Sequence, residues 1–261
     1  MTSPSQSYLQ RFSLAGQVAL VTGSARGLGL CIARAMAGSG AHVLINGRNA
    51  GAVRAAVEQL RGQGLAASAL AFDVSDDDAT ARAFAQVDAE HGRLDILVNN
   101  VGARNRKTLQ AISAAEIRAL IETDLVAGML LAKQAAERMV RQRAGRLIAI
   151  TSVAGELARA GDAVYPAAKQ GLTGMVRALA AELGPLGITS NAIAPGTFAT
   201  ETNAEMVTDA AVRERLAARN PMGRWGDPEE IAGAAVFLAS PAASYINGQV
   251  LAVDGGLSIL F

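Results

Sequence analysis

Val18-Ala19-Leu20-Val21-Thr22-Gly23-Ser24-Ala25-Arg26-Gly27-Leu28-Gly29 begins with four apolar residues and passes straight into a turn carrying Gly23, Gly27 and Gly29. A short apolar run rich in β-branched residues reads as a buried strand, and the segment after it, through Ala37, has helical spacing. Glycines at such a junction let the backbone turn tightly and approach an anion. The anion's charge is favoured by the free N–H groups and the dipole at the helix start. The spacing is not G-x-G-x-x-G, and the turn lacks the lysine of a P-loop. Six further runs of the same kind lie at residues 42–45, 68–72, 94–98, 146–150, 189–193 and 250–253. Helical faces separate them: Val53, Val57 and Leu60 share one, and Leu172, Met175, Val176, Leu179 and Leu183 another. This alternation predicts one α/β domain over residues 1–261, a doubly wound parallel sheet with helices on both faces and ligand chemistry at the carboxyl ends of its strands.

Composition narrows the partners. The 261 residues carry 24 basic and 23 acidic side chains for a net charge of +1, which argues against nucleic acid. Hydrophobic residues make up 51% and charged residues 18%, with a mean hydropathy of +0.24, so the chain is expected to fold around a sizeable core. Cys31, His42 and His91 are too few for a disulfide framework or a zinc site, so no metal is expected. The polar residues 1–16 lack the apolar centre of a signal peptide, and the apolar run at residues 125–132 is too short to span a bilayer. The expectation is a soluble, cytoplasmic protein without membrane partners.

The residues after the second strand select among dinucleotides. An NAD site of this architecture usually offers an acidic side chain to the ribose about 20 residues past the glycines. Residues 1–57 contain no Asp or Glu, and the second strand runs out in Asn46-Gly47-Arg48. Arg48, with Arg26, can pair with a 2′-phosphate because a guanidinium fork matches phosphate geometry. NADP is therefore favoured over NAD.

Tyr165 and Lys169 stand four apart in Tyr165-Pro166-Ala167-Ala168-Lys169, on one face of a predicted helix. An ammonium beside a phenol favours the phenolate, so Lys169 is expected to lower the tyrosine pKa and let it exchange a proton with a carbinol or carbonyl oxygen. Ser152, at the end of the fifth predicted strand, can hydrogen-bond the same oxygen.

With these residues in place, the chain resembles the classical short-chain dehydrogenase/reductase family. Thr22 to Gly29 matches its Thr-Gly-x-x-x-Gly-x-Gly motif, and Asn99-Asn100-Val101-Gly102 its Asn-Asn-Ala-Gly motif. Ser152, Tyr165 and Lys169 match its catalytic serine, tyrosine and lysine. The resemblance runs from about residue 14 to 257, with the motifs in order. It implies a Rossmann-like fold with a seven-stranded parallel sheet, reversible hydride transfer between NAD(P) and an alcohol or ketone carbon, and assembly as a homotetramer. It further implies a cofactor site built from Gly23, Ser24, Arg26, Gly27, Leu28, Gly29, Asn46, Arg48, Asp73, Val74, Asn100, Gly102, Tyr165, Lys169, Pro195, Gly196 and Thr197. The family's fourth catalytic residue, an Asn, is Asp124 here, in apolar surroundings. An ionised carboxylate there needs a partner. One reading pairs Asp124 with Lys169, directly or through water, leaving the phenol less acidic. The other has it tether backbone N–H groups.

Four stretches resemble the gluconate 5-dehydrogenase branch of the family: Asn46-Gly47-Arg48-Asn49, Glu156-Leu157-Ala158-Arg159, Phe198-Ala199-Thr200-Glu201 and Gly223-Arg224-Trp225-Gly226. The implied substrate is a sugar acid or polyol of the gluconate/5-ketogluconate type. A sugar acid needs a cation for its carboxylate, and Ala103-Arg104-Asn105-Arg106-Lys107 puts three at the end of the fourth strand, with Arg104 and Arg106 the candidates. Glu156 is a candidate for a substrate hydroxyl, with an ion pair to Arg159 as the alternative. The polar stretch at residues 197–225 reads as a substrate lid, and the apolar tail at residues 255–261 as a buried interface. Two other functions stay open: a 3-oxoacyl thioester reductase, whose family members share every motif quoted, and a dinucleotide-binding protein without turnover.

Overall fold

The computed structural model describes residues 8–157 and 159–260, so Ala158, Phe261 and the first seven residues lie outside the account that follows. Seven strands form one all-parallel sheet in the order β3-β2-β1-β4-β5-β6-β7. They are β1 (Val18–Val21), β2 (His42–Gly47), β3 (Ala67–Ala71), β4 (Ile96–Asn99), β5 (Gly145–Ile150), β6 (Ile188–Pro195) and β7 (Val250–Val253). All seven expected strands are present, with no end shifted by more than two residues. β6 runs on through Pro195 because β7 pairs with it as far as Val253.

Each strand alternates its side chains between two buried faces, which is why the runs are continuously apolar rather than striped. Ala19 and Val21 point into a core built with Ile32 and Met36 of α1 (Gly27–Gly38), Val57 and Leu60 of α2 (Ala50–Gly62), and Ala235 and Leu238 of a later helix at Ala232–Ala239. Val18 and Leu20 point the other way, onto Phe84 and Val87 of α3 (Asp77–His91) and onto Leu131 and Met139 of a helix at Ala127–Gln142. α4 (Ala114–Ile121) leads through one turn of π-helix, Glu122–Val126, into that last helix, α5 (Ala127–Gln142). α6 (Val164–Leu183) packs Val176 on Ala149 of β5 and Ala192 of β6.

The sheet is wound outward in both directions from β1 and β4, which are neighbours although β2 and β3 lie between them in the chain. That reversal opens a crevice at the carboxyl ends of the strands. Thr22, Asn100, Ser152 and Pro195, at or just past the ends of β1, β4, β5 and β6, lie along it. No helix among the described residues is long and apolar enough to cross a membrane.

Candidate active site

The glycine turn is shaped by contacts from three strands. Gly29 lies so close to the chain before it that an added Cβ would meet the Gly23 carbonyl at 2.5 Å and the Asn100 amide nitrogen at 2.6 Å. Asn100 donates that amide to the carbonyls of Thr22 and Gly23, and its own N–H goes to Thr22 Oγ1 at 2.9 Å. From the other side, Asn46 Oδ1 accepts the Gly23 N–H, and its Nδ2 donates to the carbonyls of Leu70 and Phe72. Ser24 Oγ is held by the Val21 carbonyl and the Asn46 N–H. The side chains of Ser24, Asn46 and Asn100, expected at a ligand, are thus spent on the loop itself. Val74 is likewise buried in the core. Buried polar groups must be paired, and the loop supplies the partners of these three side chains.

What remains open fits a dinucleotide. α1 starts after Arg26 with no side-chain cap and no acidic residue in its first turn, so its leading N–H groups are available to a pyrophosphate. Arg26 is exposed, and Arg48 keeps 82% of its side chain in solvent, 3.9 Å from its nearest carboxylate, Asp73. Across the crevice, Thr197 Oγ1 is buried without a hydrogen-bond partner, beside Gly196, where an added Cβ would meet Asp254 Cα at 2.7 Å.

Tyr165 lies in the first turn of α6, and Lys169 follows one turn deeper on the same face, 3% exposed. Lys169 Nζ donates to the Ile150 carbonyl at 3.2 Å and lies 5.6 Å from the Tyr165 ring centre. Gly102 makes room for it, since a Cβ there would come within 2.9 Å of Nζ. Burial lowers the lysine pKa from its ordinary value, against the pull of Asp124. Burial also holds the Tyr165 phenol above its ordinary value. The Ser152 hydroxyl and the Arg104 charge pull it down, whereas Asp124 and Asp162 push it further up. The expected lowering by Lys169 is therefore corrected. Desolvation of the phenol outweighs the cations around it, and the cation that counts most is Arg104.

Asp124 occupies the π-helical turn, a local break that often marks a functional position. Its Oδ1 accepts the Ala103 N–H at 2.5 Å, while Oδ2 is buried without a partner. Burial lifts its pKa above the ordinary carboxylate value, against the Ala103 bond and the Lys169 charge. The backbone-tether reading describes its contact. Lys169 acts on it through space rather than as an ion pair, and Asp124 does make the phenol less acidic.

The basic loop after β4 divides sharply. Arg104 pairs with Asp162, whose side chain is 1% exposed, donating Nε at 2.8 Å and Nη2 to the same Oδ2. Its charge is matched by a buried acid. Lys107 and Asn105 both bond Glu116 Oε1. Arg106 has no carboxylate within 4.0 Å among the described residues. Burial lowers its pKa, and the charges of Arg104 and Arg159 lower it further. Glu156 is exposed, and it forms no ion pair with Arg159. Asp162 escaped the sequence reading because its partner is 58 residues away. An acid three positions before Tyr165 was the only available signal.

The segment at residues 197–225 is pinned at its base, where Gly226 N–H donates to the Thr197 carbonyl and Ala199 N–H to the Gly226 carbonyl, each at 2.9 Å. Phe198 is buried beneath it. Beyond lie α7 (Ala204–Thr208) and α8 (Ala210–Arg219). Glu201 reaches back over the glycine turn, its Oε2 lying 3.8 Å from where a Cβ of Gly27 would be.

A family model described as enoyl-(acyl carrier protein) reductase matches residues 23–258. The chain is 42% identical to a gluconate 5-dehydrogenase of Gluconobacter oxydans (strain 621H), covering 95% of this chain and 97% of that one. It is 38% identical to a 3-oxoacyl-[acyl-carrier-protein] reductase of Synechocystis (strain PCC 6803 / Kazusa), over 94% and 98% of the two chains. Among solved structures, a gluconate 5-dehydrogenase from Burkholderia cenocepacia J2315, in complex with NADP and tartrate, superposes with a TM-score of 0.93. The two are 40% identical, over 97% of this chain and 99% of that one.

Proposed function

Since the chain belongs to the short-chain dehydrogenase/reductase family, we propose that it transfers hydride between NADP and a secondary alcohol or ketone carbon of a sugar acid, of the gluconate/5-ketogluconate kind. The observation that carries this reading is the set of polar groups converging at the crevice: Tyr165 beside Ser152, Lys169 one turn deeper, and Arg106 the one cation of the β4 loop left without a carboxylate.

NADP, when bound, supplies the nicotinamide that accepts or returns the hydride. Gly23, Gly27, Leu28 and Gly29 seat the pyrophosphate. Arg48 and Arg26 would take the 2′-phosphate, and Asp73 and Val74 would hold the adenine. Asn100, Gly102, Tyr165 and Lys169 on one side and Pro195, Gly196 and Thr197 on the other would hold the nicotinamide half. NAD, which lacks the 2′-phosphate, is the weaker partner. Tyr165 Oη takes the carbinol proton during oxidation and returns it during reduction, and Ser152 Oγ orients the same oxygen. Lys169, at the base of the site, would hold the nicotinamide ribose, while Arg104 favours the phenolate and Asp124 opposes it. Arg106 holds the substrate carboxylate and Glu156 a hydroxyl. Residues 197–225 close over them and exclude water.

The remaining surface supports a homotetramer. A groove of about 660 Å³ runs between α5 and α6, lined by Met129, Val140, Met175 and Leu179, and Leu251, Ile259 and Leu260 stand exposed near the C-terminal end. The proposed location is the cytoplasm, where the buried thiol of Cys31 stays reduced.

The rival reading, reduction of a 3-oxoacyl thioester, is favoured by the Synechocystis relative, and one assay separates the two. NADPH consumption is expected with 5-ketogluconate and not with an acetoacetyl thioester, and Arg106→Ala should abolish the preference for the acid over an uncharged ketose. Turnover of the thioester alone would overturn the sugar-acid reading. A protein that binds NADPH but oxidises it with no carbonyl compound would be a dinucleotide-binding protein only.

A further inference from the structure

We propose that Arg104, clamped by Asp162, is a positioning residue that fixes the Tyr165 ring and supplies it with a cation of its own from the β4 side of the crevice. The guanidinium centre lies 4.6 Å from the ring centre, nearer than the 5.6 Å of Lys169 Nζ. A cation at this distance is drawn to the ring's π-electrons, and more strongly to the phenolate than to the phenol.

The clamp is what makes the placement definite. Arg104 belongs to a loop, and a free arginine there would spread over many rotamers. Two donors on one carboxylate oxygen hold its fork in a single orientation. Asp162, 2% exposed, stands two residues before α6 begins at Val164, where the helix offers no side-chain cap and its dipole favours an anion. The pair therefore ties the loop after β4 to the start of the helix that carries Tyr165. Removing either partner would strand a charge in a desolvated site.

The charges facing Tyr165 come from every element around it. They are Arg104 and Arg106 from the β4 loop, Asp124 from the π-helical turn, Asp162 from the approach to α6 and Lys169 from α6 itself, with the neutral Ser152 hydroxyl after β5. Two carboxylates oppose the cations, so the balance is open to single substitutions.

The inference rests on Tyr165 being the group that exchanges the proton in the proposed reaction, and its test can be kept separate from that reaction. The chain has three tyrosines, and Tyr8 and Tyr245 are exposed, so the ultraviolet difference titration of wild type minus Tyr165→Phe reports Tyr165 alone. Arg104→Met should raise the Tyr165 midpoint by about one pH unit or more, and Asp162→Asn should lower it. The double variant Arg104→Met/Asp162→Leu, which leaves no stranded charge, should raise it by less than Arg104→Met alone. That variant serves also if the single substitution fails to fold. Midpoints that stay in place, or that move the same way in both single variants, would overturn the proposal, since a merely structural pair gives no opposite signs. With gluconate and NADP, the acid limb of kcat/KM should follow the same shifts. If the titration moves and the rate profile does not, the clamp stands and Tyr165 is not the base.

Discussion

Arg48 shows how little a single side chain must do to select a cofactor. Its nearest carboxylate is 3.9 Å away and most of its side chain is in water, so the guanidinium is held in no fixed geometry before a ligand arrives. A 2′-phosphate there would gain a charge-assisted hydrogen bond of about 1.5–3 kcal/mol. Arg48→Ala is accordingly expected to weaken NADPH binding by roughly tenfold or more and to leave NADH unchanged, as read by cofactor fluorescence titration. Equal losses for both cofactors would remove the phosphate contact. Arg48 was readable because nothing near it in sequence is acidic. Asp162 was not, because its meaning depends on Arg104, which the loop after β4 brings to it from 58 residues away.

At the level of elements, the start of α1 and the segment over it compete for the same space. The helix needs an anion at its uncapped end, and Glu201 supplies a carboxylate close to Gly27. A pyrophosphate seated there must displace that carboxylate or bear its repulsion. Glu201→Gln is expected to tighten NADPH binding about two- to fivefold, an effect the size of one exposed charge at a helix terminus. Calorimetric titration of both proteins checks it, and unchanged or weaker binding in the variant would place Glu201 away from the bound cofactor. The strand–glycine–helix unit was legible because its signal is local. The π-helical turn at Glu122–Val126 was not, because periodicity alone does not distinguish one widened turn inside an apolar helix.

For the whole molecule, two stretches of apolar surface are left exposed, one on α5 and one at β7. Met129 and Val140 on α5 are 42% and 37% exposed, beside the groove against α6, and the edge strand β7 exposes Leu251. In the proposed tetramer of dihedral symmetry, these two patches would serve its two interface types. Light scattering at micromolar concentration is expected to give a tetramer, and Met129→Asp with Val140→Asp a smaller species with its fold retained. A monomeric wild-type protein would refute the assignment.

What the linear order of residues determined was the alternation of buried strands and amphipathic helices, hence a doubly wound sheet, and the positions of the glycine turn, Ser152, Tyr165 and Lys169. Those signals are encoded within a turn or a strand and survive without knowledge of neighbours. Only the tertiary structure decided which charges are free. It spent Arg104 on Asp162 and Lys107 on Glu116, gave Asp124 a backbone partner, and left Arg106 uncommitted. Charge pairing falls off over a few ångströms and takes no account of distance along the chain. The electrostatics of the crevice therefore exist only once the strands have brought residues 58 positions apart within reach of one another.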